Sequence, residues 1–356
     1  MPFSLSVQHS QPSSSSPVSV DYVLTAYSLP HSMSYLPTQG GAFSATPCSV
    51  LDLMDAAVSL GLAGVEIPLT SRVPSFNGII VETPPLPADL VGELKSRHLR
   101  LIADYGALLD FEVQHTKDYM DLAARSGTTI VRAILSHLLC GDRRKLAGGW
   151  EAHRNALAVR LKELLPFAEE RGITLALENH QDADSDDFWW LYEQTGQSAA
   201  FGVTLDTGNP LAVGQDPVVA ARQLAPLIRH VHLKDYTLHF APNGYRLARC
   251  AAGDGVIDFP AILEILRANG HVLLPGIEIA AQQARTVPLL EADWWQEYPA
   301  REATTLIPVL QRLWTLGKPE NVPYASAWER GESSEAVSQE EWKVLKRSVH
   351  YFQGLT

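Results

Sequence analysis

Short apolar runs alternate with longer amphipathic segments from residue 21 onward. Eight runs have the length and composition of buried strands: Tyr22–Tyr27, Gly64–Pro68, Arg100–Asp104, Thr129–Leu135, Ile173–Glu178, Val203–Asp206, His230–Lys234 and Gly276–Ile279. Segments with helical periodicity lie between and after them: Val50–Leu60, Ala88–Arg97, Thr116–Arg125, Glu151–Glu170, Asp186–Gln194, Pro217–Leu227, Pro260–Ala268 and a closing helix Arg301–Leu316. Strands that alternate with helices in this way predict a single (β/α)8 TIM barrel.

An open, doubly wound sheet is the alternative architecture for such an alternation. Its dinucleotide-binding form needs a glycine-rich turn after the first strand. The segment "TAYSLPHSMS" has no glycine, and the lone "GDG" at 253–255 comes too late in the chain. The barrel is therefore the favoured fold.

The two ends of the chain differ in composition from the barrel segment, 21–316. Residues 1–20 are rich in Ser and Pro, which predicts a disordered tail. Residues 317–356 begin with Pro, Ser and Glu and end in the amphipathic run "EEWKVLKRSVHYF". This run predicts an appended C-terminal helix that packs on the barrel or on a second subunit.

Polar residues end the last four predicted strands with a common phase. Side chains alternate between the two faces of a strand, so Thr174, Ala176 and Glu178 share one face and the bulky aliphatic residues take the other. The same alternation places four polar side chains on the inner face at the strand ends: Glu178, Asp206, His232 and Glu278. Barrel enzymes have their active sites at the carboxyl ends of the strands. A lone strand-end histidine is usually structural, but four polar residues in phase predict a functional site.

Three carboxylates and one imidazole form a donor set for a divalent cation. Carboxylates that converge without a cation repel one another, and their pKa values rise. Hard or borderline ions suit such donors, so we expect Mn²⁺, with Mg²⁺ or Co²⁺ as alternatives. Zinc prefers more nitrogen or sulfur ligands.

Five motifs carry a resemblance to a known family: "ALENHQD", "TLDTGNP", "HVHLKD", "GDGVIDF" and "GIEI". They resemble the xylose isomerase-like (AP endonuclease 2-type) TIM-barrel superfamily over residues 21–316. The resemblance implies that Glu178, Asp206, His232 and Glu278 bind one divalent metal ion. It also implies that Glu178 and Glu278 are the catalytic acid/base pair that flanks the substrate.

One position departs from the pattern of many relatives, which have a histidine three residues after the aspartate. Here "DTGN" has Asn209, which can bind a hydroxyl but cannot transfer protons. We expect four residues to bind the substrate: His180, Asn209, Lys234 and Arg285. Further candidates at the rim of the barrel are Glu66, Asp104, His31 and His137. The pairs Trp189–Trp190 and Trp294–Trp295 are interpreted mainly as packing residues.

Proton abstraction beside a carbonyl is the chemistry that such a site performs. The main hypothesis is an isomerase or epimerase that acts on a sugar, keto-sugar or cyclitol through an enediolate. A lyase on the same kind of substrate, such as an inosose-type dehydratase or a 3-keto-glycoside deglycosidase, is the second. A DNA-repair endonuclease and a non-catalytic metal-binding subunit are the remaining alternatives.

The charge and the cysteine content limit the kinds of binding partner and the cellular compartment that we expect for this protein. The net charge of −12 over 356 residues argues against nucleic acid, and no apolar run is long enough to span a membrane. Cys48, Cys140 and Cys250 are far apart, which fits a reducing compartment, so we expect a cytoplasmic protein. The sequence is compatible with a homo-oligomer and with a hetero-oligomer.

Overall fold

Eight parallel strands close a barrel and follow one another around it in chain order. The computed structural model describes residues 21–70, 72–74, 80–270, 273–279 and 282–355, so the tail predicted for residues 1–20 lies outside the described residues. The barrel strands are β1 (Val23–Thr25), β2 (Gly64–Pro68), β3 (Arg100–Ala107), β4 (Ile130–Ile134), β5 (Thr174–Glu178), β6 (Phe201–Asp206), β7 (Ile228–Leu233) and β8 (Gly276–Ile277). The predicted (β/α)8 fold is confirmed.

One helix follows each barrel strand, and one more lies beyond them. They are α1 (Val50–Ser59), α2 (Leu90–Ser96), α3 (Val113–Arg125), α4 (Trp150–Glu170), α5 (Ser185–Gln194), α6 (Pro217–Leu224), α7 (Phe259–Ala268), α8 (Ile307–Leu316) and α9 (Ser334–Gln353). Side-chain caps define several starts; Ser49 and Asp52 form a capping box on α1. None of the helices in the described ranges is long and apolar enough to cross a bilayer.

The closing helix begins later than the sequence pattern predicts. Residues Ala303–Leu306 form a 3-10 turn, and α8 starts at Ile307. Pro308 is the reason, since proline has no N–H and fits only the first turn of a helix. Arg301, predicted to be helical, instead donates to the carboxylate of Asp184 and to the Val213 carbonyl.

An antiparallel sheet after β7 was not predicted from the sequence. Its three strands, Tyr236–Ala241, Gly244–Arg249 and Arg285–Val287, are hydrogen-bonded in that order. The first two form a hairpin whose turn is closed by the pair Ala241 and Gly244. Gly244 has φ 154°, and a Cβ atom there would collide with the Val287 carbonyl. The third strand brings Arg285 next to this hairpin.

The seam of the barrel, between its first and last strands, is a short strand pairing. Strand β8 pairs with β1 through two residue pairs, Val23 with Gly276 and Leu24 with Ile277. The hydroxyl groups of Thr25 and Ser28 both donate to the Ile277 carbonyl, at 2.9 and 2.6 Å. These two side-chain hydrogen bonds therefore add to the short backbone pairing between β8 and β1.

Helix α9 crosses this seam, in agreement with the predicted packing of a C-terminal helix on the barrel. Its Phe352 packs on Tyr22, with ring centroids 5.4 Å apart. Its buried Glu341 accepts hydrogen bonds from the backbone N–H groups of His31 and Ser32 and from Nε2 of Gln282. The loops that follow β1 and β8 are thus held by one carboxylate. The division of the chain at residue 317 stays a prediction.

Candidate metal centre

Four buried side chains meet at the carboxyl ends of β5 to β8. Asp206 and His232 are register partners on β6 and β7, and His232 in turn pairs with Gly276 of β8. Glu178 ends β5, and Glu278 directly follows β8. One ligand atom of each of these four side chains lies within 4.8 Å of the others. The structure therefore brings together the four residues that the strand phase selected.

The donor set fits a divalent cation. Nδ1 of His232 is buried and forms no hydrogen bond, yet it lies 2.7 Å from Oε2 of Glu278 and 3.3 Å from Oε2 of Glu178. Buried polar atoms in native proteins nearly always have a partner. An imidazole nitrogen directed at several carboxylate oxygens satisfies all of these atoms when a cation lies between them.

Lys234 reaches two of these carboxylates. Its Nζ atom lies 2.6 Å from Oδ2 of Asp206 and 2.7 Å from Oε1 of Glu278, and its side chain is 6% exposed. Its backbone is fixed by Thr207, whose hydroxyl accepts from the Lys234 N–H at 2.9 Å. Predicted as a substrate-binding residue, Lys234 is an internal counter-ion of the cluster.

Arg132 on β4 is a member of the cluster that the sequence analysis missed. Its Nε lies 2.5 Å from Oε2 of Glu178, and its Nη1 lies 2.7 Å from Oδ1 of Asp104. The signal was present in the strand, because Ile130, Arg132 and Ile134 share the inward phase. Asp104 was expected at the rim, but it lies buried inside the barrel with Arg132 as its partner.

Glu66 also lies inside the barrel and not at the rim. It occupies the middle of β2, so its side chain projects into the interior one layer below the strand ends. Its carboxylate lies 2.9 Å from Nε2 of His230 and 2.9 and 3.0 Å from Nε2 of His232. Glu66 was expected at the rim of the barrel, and its position within the strand corrects that expectation.

Opposing charges set the pKa values in the cluster. Burial raises the pKa of Asp206 to about 6, with a further rise from Glu178 and Glu278 that Lys234 only partly offsets. Burial would also raise the pKa of Glu178, but the adjacent guanidinium of Arg132 and the imidazole of His232 together outweigh it, and this pKa falls to about 2. The mutual repulsion expected for converging carboxylates is therefore seen at Asp206.

Asn209 contacts Glu178. Its Nδ2 donates to Oε1 of Glu178 at 3.2 Å, and its backbone N–H donates to Oδ1 of Asp206 at 3.1 Å. The "DTGN" turn thus closes on the aspartate and directs the amide at the neighbouring carboxylate. Oδ1 of Asn209 is buried without a hydrogen bond.

His180 and Arg285 lie on the side of the site formed by the loops. His180 follows β5 and is half-buried, and its removal from water lowers its pKa to about 3, so that its imidazole is neutral near pH 7. Its Nδ1 forms no hydrogen bond. The positive charges of Arg132, Lys234 and Arg285 lower this pKa further.

The remaining candidates have structural partners elsewhere. His31 is buried between the Leu36 carbonyl and the Ser334 hydroxyl, and His137 pairs with Asp110 at 2.6 Å. Trp294 is buried, and its N–H donates to the Cys140 carbonyl at 3.1 Å. These contacts agree with a packing role for the tryptophan.

A family model described as a xylose isomerase-like TIM barrel matches residues 54–298. The chain belongs to this family. Among curated relatives, an inosose dehydratase of Clostridium tetani (strain Massachusetts / E88) is 28% identical over 161 residues, which cover 41% of this chain and 54% of the relative. The chain thus spans about half the length of that relative, and 31% of another.

Solved structures share the fold over nearly the whole chain. A D-psicose 3-epimerase with D-tagatose from Clostridium cellulolyticum H10 superposes with a TM-score of 0.57 at 12% identity, covering 94% of this chain and 99% of the other. The IolI protein with a bound zinc atom superposes with a TM-score of 0.55 at 14% identity and covers the same shares. These likenesses extend the barrel architecture to residues outside the family match.

Proposed function

We propose that this protein is a divalent-metal-dependent isomerase or epimerase that acts on a sugar, keto-sugar or cyclitol. The observation that carries the proposal is the position of two carboxylates around one point. Oxygens of Glu178 and Glu278 lie 3.3 and 2.7 Å from the same unbonded nitrogen, Nδ1 of His232. Two carboxylates beside one cation site are suited to moving a proton between the faces or carbons of a bound substrate.

Glu178, Asp206, His232 and Glu278 would hold the ion, and Mn²⁺ is the proposed metal. Three carboxylates and one imidazole favour a hard or borderline ion. When bound, the ion polarises the substrate carbonyl and stabilises negative charge on its oxygen. The binding of zinc by the structurally similar IolI protein supports a metal site in this fold.

The acid/base steps fall to Glu178 and Glu278. One carboxylate removes the proton from the carbon beside the carbonyl, which leaves an enediolate. The other returns a proton to the opposite face of that carbon in an epimerisation, or to the neighbouring carbon in an isomerisation. Four residues are proposed to bind the substrate oxygens: the neutral His180, Asn209, Lys234 and Arg285.

A lyase on the same kind of substrate is the second candidate. Arg132 holds Glu178 in its ionised form, so Glu178 is a poor proton donor. In an elimination one carboxylate takes the proton and then gives it to the oxygen that leaves the next carbon, so that water or an alcohol departs and no second proton donor is needed. The similarity to an inosose dehydratase supports this alternative. A cytoplasmic location and a small-molecule partner without nucleic acid are part of both proposals.

Deuterium exchange on the metal-loaded protein tests the proposal. Keto-sugars and inososes are incubated in D₂O with the Mn²⁺-loaded chain, and products are followed by NMR. We expect deuterium at the carbon beside the carbonyl together with an epimer or isomer. An unsaturated product would support the lyase, and absence of exchange with the whole panel would contradict the enzyme and favour a non-catalytic metal-binding subunit.

A further inference from the structure

Glu66 contacts the imidazole of the proposed metal centre from the side opposite the ion. It is 2% exposed and touches Nε2 of His232 with both of its oxygens. Nδ1 of the same ring faces Glu178 and Glu278. Since a carboxylate accepts a hydrogen bond only from a protonated nitrogen, the Nε2 proton belongs to the Glu66 contact. Nδ1 is then the nitrogen available to the metal.

We propose that Glu66 is a positioning residue that holds the Nε2 proton of His232 and directs Nδ1 at the metal. A carboxylate behind a histidine ligand fixes the orientation and the tautomer of the ring and increases its basicity. The inference rests on the proposed metal site and adds a residue to it from the opposite wall of the barrel.

His230 fixes Glu66 in turn. Its Nε2 lies 2.9 Å from Oε2 of Glu66, and its side chain is buried. The rings of His230 and His232 are nearly perpendicular, at 86°, with centroids 5.1 Å apart. The two imidazoles therefore approach the carboxylate from different directions, which leaves Glu66 little freedom to turn away from His232.

Gly276 makes room for this contact. A Cβ atom at that position would lie 3.1 Å from Oε2 of Glu66, 3.4 Å from Cδ2 of His232 and 2.8 Å from Cγ2 of Thr25. Any side chain on β8 at this point would push against the pair. A glycine opposite both partners is an observation independent of the hydrogen bonds, and it supports the same inference.

Metal affinity of matched variants tests the role of Glu66. The Mn²⁺ dissociation constant of the full chain is measured by competition with a chelator for wild type, Glu66→Gln, Glu66→Leu and Asp104→Asn. Asp104→Asn makes the same carboxylate-to-amide change at a second buried residue, whose side chain contacts Arg132 and no imidazole. We expect Glu66→Leu to weaken binding about 100-fold and Glu66→Gln about tenfold. Asp104→Asn should change it less than about threefold, since its carboxylate does not contact a ligand.

The Co²⁺ absorption spectrum gives a second readout. The d–d bands of the bound ion should change in Glu66→Gln and in Gly276→Ala, because both alter the direction of the imidazole, and remain as in wild type in Asp104→Asn. Circular dichroism and thermal unfolding of the metal-free variants show whether each is folded.

Each outcome separates this inference from the metal site on which it rests. If wild type binds no metal, the proposed site fails. If wild type binds metal and folded Glu66→Gln binds it as tightly, or no more weakly than Asp104→Asn, the site stands and the inference is overturned. Two ions per wild-type chain, with one lost in Glu66→Leu, would make Glu66 a ligand and also overturn it.

Discussion

The two halves of the barrel interior contribute different groups to one cluster. Strands β5 to β8 supply side chains at their carboxyl ends, and these are the proposed metal ligands. Strands β2 to β4 supply Glu66, Asp104 and Arg132 from within the strands, and two of these directly contact the proposed ligands. One half presents donors to the site, and the other half sets their orientation and charge. A variant in either half should therefore impair the metal centre, but the effects of the two kinds of variant should appear in different measurements.

Loss of a catalytic carboxylate is expected to have the largest effect. Glu278→Gln should lower the rate of deuterium exchange about 1,000-fold, because the amide cannot take the proton. Metal content, measured on the same samples, should also fall. Glu163→Gln, on the exposed face of α4, is the control and should exchange at the wild-type rate. An unchanged rate in Glu278→Gln would remove Glu278 from the proton transfer.

Loss of Arg132 should act on stability more than on the chemistry. Arg132→Met leaves Glu178 and Asp104 as buried charges without their partner, at a cost of about 3 kcal/mol in the free energy of unfolding. Urea unfolding measures this loss. The double variant Arg132→Met with Asp104→Asn should recover part of the lost free energy of unfolding. If it recovers none, the charge of Arg132 does not compensate that of Asp104.

His180 should make stability depend on pH. Its pKa is lowered from 6.5 to about 3, so between these two pH values the imidazole is protonated in the unfolded chain and neutral in the folded chain. The contribution of His180 to the free energy of unfolding is therefore fully present above the unfolded-state pKa of 6.5 and is lost as the pH falls toward 3. Between about pH 7 and pH 5, wild type should lose about 2 kcal/mol more than His180→Asn in urea unfolding. His98→Asn, at an exposed position, should behave as wild type.

Asn209 should have the smallest effect of these four. Asn209→Ala removes one hydrogen bond to Glu178, which corresponds to about 1 kcal/mol. Mn²⁺ affinity measured by chelator competition should fall about fivefold, since a factor of ten corresponds to about 1.4 kcal/mol. A loss as large as that in Glu66→Leu would show that the donor half supports its own ligands as strongly as the opposite half does.

The donor half of the site was predictable from the sequence because its residues combine two signals. Each lies at the end of an apolar strand, and each has the inward phase of that strand, as in "TLALE" and "HVHL". The residues on β2 to β4 give only the second signal, the inward phase of the strand. Arg132 and Glu66 lie in the middle of their strands, where a polar residue resembles a strand boundary. The proposed metal ligands that they contact, Glu178 and His232, are more than forty residues away.

Other differences between prediction and structure have local causes. The hairpin after β7 carries an Asn243–Gly244 turn between alternating apolar residues, and this dipeptide is a hairpin signal in the sequence. Helix α9 begins at Ser334, before the amphipathic run that predicted it, since Ser333 accepts from the Ala336 N–H and caps the helix there. Strand β8 covers Gly276–Ile277, shorter than the predicted Gly276–Ile279, although the Glu278 N–H still donates to the Leu233 carbonyl of β7 at 3.2 Å.

The position of α9 across the barrel seam has a consequence for the order of folding. The strands that close the barrel are joined by two residue pairs, and the carboxylate that links their loops lies on the last helix of the chain. A nascent chain that has emerged only as far as α8 has all eight strands and the hydrogen bonds of Thr25 and Ser28 to Ile277, but it lacks the Glu341 carboxylate that joins the first and last loops. We therefore expect closure of the seam to be a late event in synthesis, and its amide protons to exchange slowly only after the final helix has docked.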